Sequence, residues 1–393
     1  VSEQYREFVL DPLRSGMSSG VSGQAAVQPV KRPKRGNPLT QFLLLSQRNV
    51  ELLKNDRSLF VIMLLQAPLI ALFLMLLIRF EVGTGIFDPN KAVQCAPQIF
   101  TSSAVSPTNP AGTLGITPTA KQKNDNGTVS CNLIQSFLKN DAAGKSYAQK
   151  NGGEAKALQD FIVIGDSINA QRALFLCAFI AVLFGVINSI REIVKEGAIY
   201  RRERTVNLGI VPYLFSKILI LGVLALFQSG VLILIVHAFE PLHQGVFLPV
   251  LLEGYITLAL ASFAGVMIGL AVSAVAPNED SATSLLPIIL IPQVIFAGVE
   301  IPLKDALTTT AAWFFPTRWA MAGLGSSLGL HADKLGGDKV FGDDPTYHGT
   351  LFSIYSQTDA MHRMLLAWGA LGLTIIILTI VTGIILKRKD VRK

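Results

Sequence analysis

Charged residues are scarce in this chain of 393 residues. Only 16% of them are Asp, Glu, Lys or Arg, whereas 50% are hydrophobic and the mean hydropathy is +0.47. Soluble domains carry about 25% charged residues. The apolar residues are also gathered into long runs. The composition therefore predicts an integral membrane protein and argues against a water-soluble enzyme.

Motifs of catalytic and metal sites are absent from the sequence. It contains no GxxxxGK[ST] phosphate loop, no GxSxG nucleophile turn and no paired carboxylates within a span. Its five histidines lack the spacing of metal ligands. We therefore expect no catalytic residue, no metal and no cofactor in this chain.

The chain has only three cysteines. Cys177 lies in an apolar run, where we expect it to pack without further chemistry. Cys95 and Cys131 share one polar region, and they can form a disulfide if that region lies outside the cytoplasm. Spacing alone does not fix a pairing, so the bonded and the free forms both stay open.

Six apolar segments are long enough to cross the hydrocarbon core, which requires about 20 residues. The predicted spans are 58–80, 172–190, 210–237, 246–276, 282–299 and 364–387. Within the fourth, Gly265 and Gly269 form a small-xxx-small pair that is typical of close helix packing. Between the last two, residues 300–363 are predicted to hold an external re-entrant segment. The predicted fold class is an all-α membrane protein with six transmembrane helices.

Polar segments precede and follow these spans. Residues 1–37 have no apolar signal-peptide segment and are expected to be a cytoplasmic linker, whose basic KRPKR stretch we interpret as membrane-proximal rather than as a nucleic-acid signal. Residues 38–57 are predicted to be an amphipathic elbow helix. Residues 81–171 are predicted to be an external loop or small domain, and residues 388–393 a cytoplasmic tail.

Lys and Arg residues cluster before the first span, between the second and third, and after the sixth. The loop 237–245 has neither residue type. Because cytoplasmic loops carry an excess of Lys and Arg, both termini are predicted to be cytoplasmic. We expect a multi-pass protein of the cell membrane, in contact with its lipids.

A dense charged segment, residues 191–208, lies between the second and third spans. Apolar residues recur with helical spacing from Ile190 onwards, which predicts an amphipathic helix that continues the second span. Basic residues in such a helix suit lipid headgroups, but glutamates do not. We therefore favour a protein-docking surface over a membrane-surface helix. The charged residues on its polar faces include Arg191, Glu192, Lys195, Glu196, Arg202 and Glu203.

Three stretches resemble type-2 ABC exporter permeases, the class that includes the G subfamily. The stretch KEGAIYRRERTVNLGIVPYLFSKIL is similar to the cytoplasmic coupling helix of that family. The stretch FAGVEIPLKDALTTTAAWFFPTRWAMAGL is similar to the region after its fifth span, and NPLTQFLLLSQRNVELLKNDRSLF to its elbow helix. The resemblance extends from Pro38 to about Lys387.

The resemblance implies a dimer of two permease copies, each docked on an ATPase domain that binds ATP and Mg²⁺. Nucleic acid is not an expected partner. The implied contacts to the ATPase are Arg191, Glu192, Lys195, Glu196, Tyr200, Arg202, Glu203 and Arg204. The implied residues of the substrate path are Phe179, Leu183, Val186, Gln293 and Phe296.

An external gate is predicted near the outer end of the fourth and fifth spans. Glu253 is the one ionisable residue clearly inside a span, where it can snorkel, pair with a neighbouring helix or hold a gate. The resemblance adds the Gly, Pro and Trp-Ala positions of the family motif to this region. They are Gly298, Pro302, Pro316 and Trp319.

Two departures from the family leave the function open. The first external region is longer than in many members, so the substrate does not carry over. Because this chain contains no phosphate loop, the ATPase is expected to be either a separate chain or a domain upstream. Residues 1–37 resemble the linker of bacterial ATPase–permease fusions, some of which also have a forkhead-associated domain. The alternatives are an ion-coupled carrier or a membrane sensor whose residues 81–171 bind a ligand. A membrane enzyme lacks any recognisable site.

Overall fold

Helices make up most of the described part of this protein. The computed structural model describes residues 37–87, 94–100, 113–119, 122, 127–163, 167–205, 208–242, 245–298, 306–328 and 357–391. In chain order the helices are α1 (Pro38–Asn55), α2 (Arg57–Glu81), α3 (Cys131–Asn140), α4 (Ala142–Lys150), α5 (Glu154–Gln159), α6 (Ser167–Ser189), α7 (Gly197–Thr205), α8 (Ile210–Phe239), α9 (Val250–Val275), α10 (Glu279–Ser284), α11 (Leu286–Ile295), α12 (Ala306–Ala312), α13 (Pro316–Leu328) and α14 (Gln357–Val391). The strands are β1 (Gln94–Cys95), β2 (Gln98–Phe100), β3 (Thr113–Gly115), β4 (Val129–Ser130) and β5 (Ile162–Val163). The predicted linker, apart from Asn37, lies outside the described residues.

Five of the described helices are long and apolar enough to cross a membrane: α2, α6, α8, α9 and α14. They fall on the first, second, third, fourth and sixth predicted spans. The helix α1 occupies the position of the predicted elbow helix, and it exposes several large apolar side chains. These are Leu39, Leu43, Leu44, Val50 and Leu52.

The predicted fifth span, 282–299, is divided into shorter pieces. The helix α10 ends at Ser284, and α11 has 10 residues with Pro287 in its first turn and Pro292 inside it. Ten residues of helix are about 15 Å long, which is half of the roughly 30 Å hydrocarbon core. Proline supplies no backbone N–H and interrupts helix hydrogen bonding. The six-span count therefore stays a prediction at this segment.

The helices α6 and α9 pack backbone against backbone. A Cβ atom placed on Gly265 would lie 2.3 Å from the carbonyl oxygen of Val182, and one placed on Gly269 would lie 2.0 Å from Oγ of Ser189. On the α6 side, a Cβ atom at Gly185 would meet the carbonyl oxygen of Ser262 at 2.1 Å. The role in close helix packing predicted for Gly265 and Gly269 is confirmed.

Residues 94–163 contain a second hydrophobic core, separate from that of the long helices. The strand β1 pairs antiparallel with β4 and β5, β2 pairs antiparallel with β3, and α3, α4 and α5 pack nearby. A disulfide joins Cys95 on β1 to Cys131 at the start of α3. Strands of two or three residues are too short to give an alternating sequence pattern. The largely helical fold thus carries a small mixed module within the region predicted to be an external loop or small domain, and only its strands were not predicted from the sequence.

Gly265→Ala should destabilise the protein. Its methyl group would overlap the Val182 carbonyl, so α6 and α9 must separate at a cost of about 1–3 kcal/mol. Thermal unfolding of the purified chain in detergent should therefore have a lower midpoint. The matched control is Gly372→Ala on α14, where a Cβ atom meets nothing within 4 Å and helix propensity gains up to about 1 kcal/mol. Equal midpoints for the two variants would contradict the close contact.

Candidate coupling site

The charged segment after α6 begins with a turn rather than a straight helix. Residues 190–193 turn, Val194–Glu196 form a 3-10 turn, and α7 follows. The N–H groups of Ile193 and Val194 both donate to Oγ of Ser273 on α9, at 3.0 Å. This hydroxyl replaces carbonyl acceptors that a continuous α-helix would supply. The predicted continuation of the second span is therefore present, with a turn fastened to α9 between its two parts.

One buried lysine holds this segment in place. The side chain of Lys217, on α8, is 3% exposed. Its Nζ donates to Oε1 of Glu196 at 2.6 Å, to Oδ1 of Asn49 at 3.1 Å and to Oε2 of Glu192 at 3.3 Å. An ammonium group has three donors, and here each has an acceptor. The charged segment 191–205, the candidate for coupling and called the coupling segment below, therefore meets α1 and α8 at a single nitrogen atom.

Arg48 on α1 extends this ion-pair network. Its guanidinium donates to Oε1 of Glu203 at 2.5 Å, and a second nitrogen lies 3.6 Å from Oε2 of Glu196. The side chains of Arg48 and Glu203 are 32% and 31% exposed, so water screens their attraction, which is worth at most about 1 kcal/mol. The pair of Lys217 and Glu196 is desolvated, so removal of either partner would leave an uncompensated buried charge.

In this network the acidic side chains of the coupling segment turn inward, whereas most of its basic side chains stay exposed. The side chains of Glu196 and Glu192 are only 8% and 14% exposed because they turn towards Lys217. Glu203 turns towards Arg48. The exposed charged side chains of the segment are all basic and comprise Arg191, Lys195, Arg201 and Arg202. The outward face is thus basic, whereas the sequence predicted a surface of mixed sign.

Aromatic and polar contacts fasten α7 to its neighbours. The rings of Tyr200 and Tyr213 are both buried, with their centroids 4.7 Å apart. Arg204 donates to the carbonyl oxygen of Leu208. The N–H of Gly209, at the start of α8, donates to Oε1 of Gln41 on α1 at 3.1 Å. The residues of the coupling segment that the family resemblance assigns to the ATPase contact are therefore divided between an outward basic face and an inward packing face.

A chain of side-chain amides links the first three spans. Gln66 on α2 donates to Asn188 on α6 at 2.8 Å, and Asn188 donates to Gln228 on α8 at 2.8 Å. Gln228 in turn donates to the carbonyl oxygen of Met63 at 2.7 Å. Hydrogen bonds between buried amides stabilise helix packing within a membrane. This chain of amides therefore joins α2 to the helices that carry the coupling segment.

Glu253 is enclosed at the opposite end of the bundle. Its carboxylate is fully buried and accepts the N–H groups of Val246, Phe247 and Leu248 at 2.8–3.0 Å. It also accepts the hydroxyl of Ser327 on α13. Of the three roles left open by the sequence, the contacts favour pairing with neighbouring elements, because the carboxylate fastens the loop before α9 to α13.

Two of the remaining gate candidates, Pro316 and Trp319, lie on α13. Every residue of this helix, including Pro316 and Trp319, is buried. Nε1 of Trp319 donates to the carbonyl oxygen of Trp313 at 2.9 Å. Gly298 has a φ of +82°, a value that glycine adopts readily. Pro302 lies outside the described residues.

The path candidates on α6 differ in exposure. Val186 is fully buried at the contact with α9, where its carbonyl oxygen lies 2.8 Å from a Cβ atom built on Gly269. Phe179 and Leu183 are half-buried, and the ring of Phe179 stacks on that of Phe175 with centroids 6.0 Å apart. Phe179 and Leu183 are thus the α6 candidates that keep accessible surface.

The path candidates on and after α11 both contact the region of α13. Oε1 of Gln293 accepts the hydroxyl of Thr317 at 2.8 Å and its N–H at 3.2 Å. The ring of Phe296 stacks on that of Phe315, with centroids 4.7 Å apart and planes 1° from parallel. These contacts fasten α11 to the start of α13.

Sequence reasoning does not single out Lys217, Asn49 or Ser273 as site residues. A signal for Lys217 exists, because an ionisable residue two turns inside an apolar run is a functional candidate by default. Asn49 and Ser273 carry no comparable signal, since their importance arises from the elements that fold against them.

Comparison with known proteins supports a transporter membrane domain. The family described as "ABC-2 type transporter" matches residues 133–328, about half of the chain. A relative from Mycobacterium tuberculosis (strain ATCC 25618 / H37Rv), named "ABC transporter ATP-binding/permease protein Rv1747", is 32% identical over 172 residues. These residues are 42% of this chain and 20% of the relative, so the match spans about a fifth of the relative's length.

Lys217→Met should destabilise the protein strongly. The change removes the ammonium partner of the buried Glu196 carboxylate, whereas Glu192 keeps its contact with Lys195. Loss of one partner of a buried ion pair costs about 3–5 kcal/mol. Thermal unfolding in detergent measures this loss. Lys195→Met is the matched control, since Lys195 is 36% exposed and its ion pair with Glu192 is worth at most about 1 kcal/mol.

Adding Glu196→Gln to Lys217→Met should restore part of the lost stability, because it removes the buried carboxylate that Lys217→Met leaves without its ammonium partner. Equal unfolding midpoints for Lys217→Met and Lys195→Met would contradict a stabilising role of the network around Lys217.

Glu253→Ala should release the loop before α9. The N–H groups of residues 246–248 lose their common acceptor, so hydrogen exchange should accelerate there. Mass spectrometry of that peptide after timed deuteration measures the change. Glu279→Ala changes an exposed acidic residue on α10 and should leave the exchange rate of this peptide unaltered. Equal exchange rates in the two variants would contradict the role of Glu253 as the acceptor that holds this loop.

Proposed function

The chain belongs to the family of ABC-2 type transporter membrane domains, and we propose that it is the permease of an ATP-driven exporter. In this role it forms the substrate path and couples to an ATPase domain. That domain, either fused upstream or a separate chain, binds ATP and Mg²⁺, and the permease itself holds no cofactor and performs no chemistry. The name of the relative, an ATP-binding and permease protein, supports such a partner.

The observation that carries the proposal is the network around Lys217. A docking domain that displaces the basic face of the coupling segment also displaces Glu192 and Glu196, which are bound to Lys217. Through the same nitrogen and Arg48, the displacement reaches α8 and α1. Because Lys217 and Glu196 are buried and their hydrogen bond is 2.6 Å long, a displacement of the segment acts directly on α8, and through Asn49 and Arg48 on α1.

We further propose that two permease copies form the complete path. Residues such as Phe179, Leu183 and Phe296 keep partial exposure in a single chain, and a second copy supplies the opposite wall. Val186 and Gln293 support that wall from within. Both termini and the coupling segment face the cytoplasm, and the protein resides in the cell membrane among lipids. The contacts of Glu253, Ser327 and Trp319 hold the external side closed.

Reversing the charges of the docking face should disconnect the ATPase. Arg191→Glu with Arg202→Glu changes two exposed side chains, so the fold should persist while the face loses its complementary charge. The complex of permease and ATPase domain should then co-purify at least about tenfold less, equivalent to 1.4 kcal/mol. ATP should also no longer drive a conformational change in the permease of this variant.

Arg172→Glu is the control, because Arg172 is exposed near the other end of α6. Co-purification that is equal for the control and the double variant would reject docking at α7. An ion-coupled carrier or sensor would show no ATPase in either preparation.

A further inference from the structure

Arg48 lies between two carboxylates of the coupling segment and donates a hydrogen bond to one of them. Its Nη1 donates to Oε1 of Glu203 at 2.5 Å, whereas its Nη2 lies 3.6 Å from Oε2 of Glu196. Hydrogen bonds between a charged nitrogen and a carboxylate oxygen are about 2.7–2.9 Å long. The distance from Nη2 to Oε2 therefore exceeds that of a hydrogen bond by less than about 1 Å.

Both groups at this gap have unused hydrogen-bonding capacity. Oε2 of Glu196 and Nε of Arg48 are buried, and neither has a hydrogen-bond partner among the residues that the structure describes. A buried polar atom without a partner costs free energy. The side chains of Arg48 and Glu203 are about one-third exposed, so water screens their ion pair and the pair contributes little. An arrangement in which the guanidinium binds Oε2 of Glu196 instead is therefore not strongly disfavoured.

The two carboxylates are anchored unequally. Glu196 accepts from the buried Lys217 at 2.6 Å, and the turn that contains it is fastened to the hydroxyl of Ser273. Glu203 comes later in the chain, near the end of α7, where its side chain is 31% exposed. A groove of about 500 Å³ between α1 and α7 is lined by both Arg48 and Glu203. When α7 is displaced, Glu203 therefore has room to move further from α1 than Glu196 does.

We propose that Arg48 exchanges partners when α7 moves: its guanidinium leaves Glu203 and donates to Oε2 of Glu196. Rotation about the side-chain bonds of Arg48 supplies this shift without a movement of α1. The exchange satisfies the buried oxygen and ties α1 to the carboxylate that already binds Lys217 on α8. Two discrete pairings of one guanidinium make the joint a two-state element. The exchange is a property of the permease alone, and its use by a docked ATPase domain rests on the function proposed above.

Distances between spin labels on α1 and α7 test the movement. Gln47→Cys and Thr205→Cys place the labels at exposed positions, and the native cysteines do not react because they are buried or disulfide-bonded. In the purified permease without ATPase, Glu203→Gln should raise the population with the longer label distance about two- to fivefold, as loss of a partly exposed ion pair does. Glu279→Gln is the matched control, because it makes the same change at an exposed position on α10 and should leave the distances unaltered.

A mutant cycle identifies the new partner of Arg48. Arg48→Gln, Glu196→Gln and the double variant give the coupling between these two residues from denaturant unfolding in detergent. The cycle is measured twice, once with Glu203 present and once in the Glu203→Gln background. We expect the coupling to be larger in the Glu203→Gln background, by about fivefold in the unfolding equilibrium constant. Glu196→Gln keeps an amide oxygen that can accept from Lys217, so it suits this measurement.

Either of two results would overturn the partner exchange. One is equal coupling of Arg48 and Glu196 in the two backgrounds; the other is an unaltered label distance in Glu203→Gln, a variant that should fold because its side chain is partly exposed. Addition of the ATPase domain with a non-hydrolysable ATP analogue should produce the same longer distance with Glu203 intact. If Glu203→Gln lengthens the distance and strengthens the coupling but the analogue has no effect, the exchange stands and the proposed ATP-driven function fails.

Discussion

The ammonium group of Lys217 sets the arrangement of one whole end of this protein. A buried cation requires acceptors that repay its lost hydration. Two elements supply them to Lys217 on α8: α1 through Asn49, and the coupling segment through Glu192 and Glu196. The same requirement turns the glutamates inward. The basic outward face of α7 is therefore a consequence of what is buried beneath it.

Buried carboxylates fix the other end of the long helices by the same physics. Glu253 gathers three backbone N–H groups and the hydroxyl of Ser327. Glu240, at the end of α8, accepts the N–H groups of Gly85 and Ile86 at 2.7 and 3.1 Å. Between these ends, the middle of the bundle relies on glycine contacts and amide pairs. Charged groups hold the two ends of the bundle, and close backbone packing holds its centre, so α6, α8 and α9 are joined along their length.

The sequence alone determined the membrane class, the positions of five long helices and the location of the charged segment, because apolar length and charge density are local properties of the chain. The glycine pair on α9 was also predictable from its spacing. Tertiary structure alone decided which charges face outward, since Lys217, Asn49 and Ser273 come from three distant segments and converge only after folding. It likewise divided the residues of the predicted fifth span, where two prolines interrupt the helix, and built strands too short to leave a periodic pattern. A lysine inside an apolar run marks Lys217 as a candidate, but a single sequence does not show which distant polar groups it pairs with, because those partners meet it only in the folded protein.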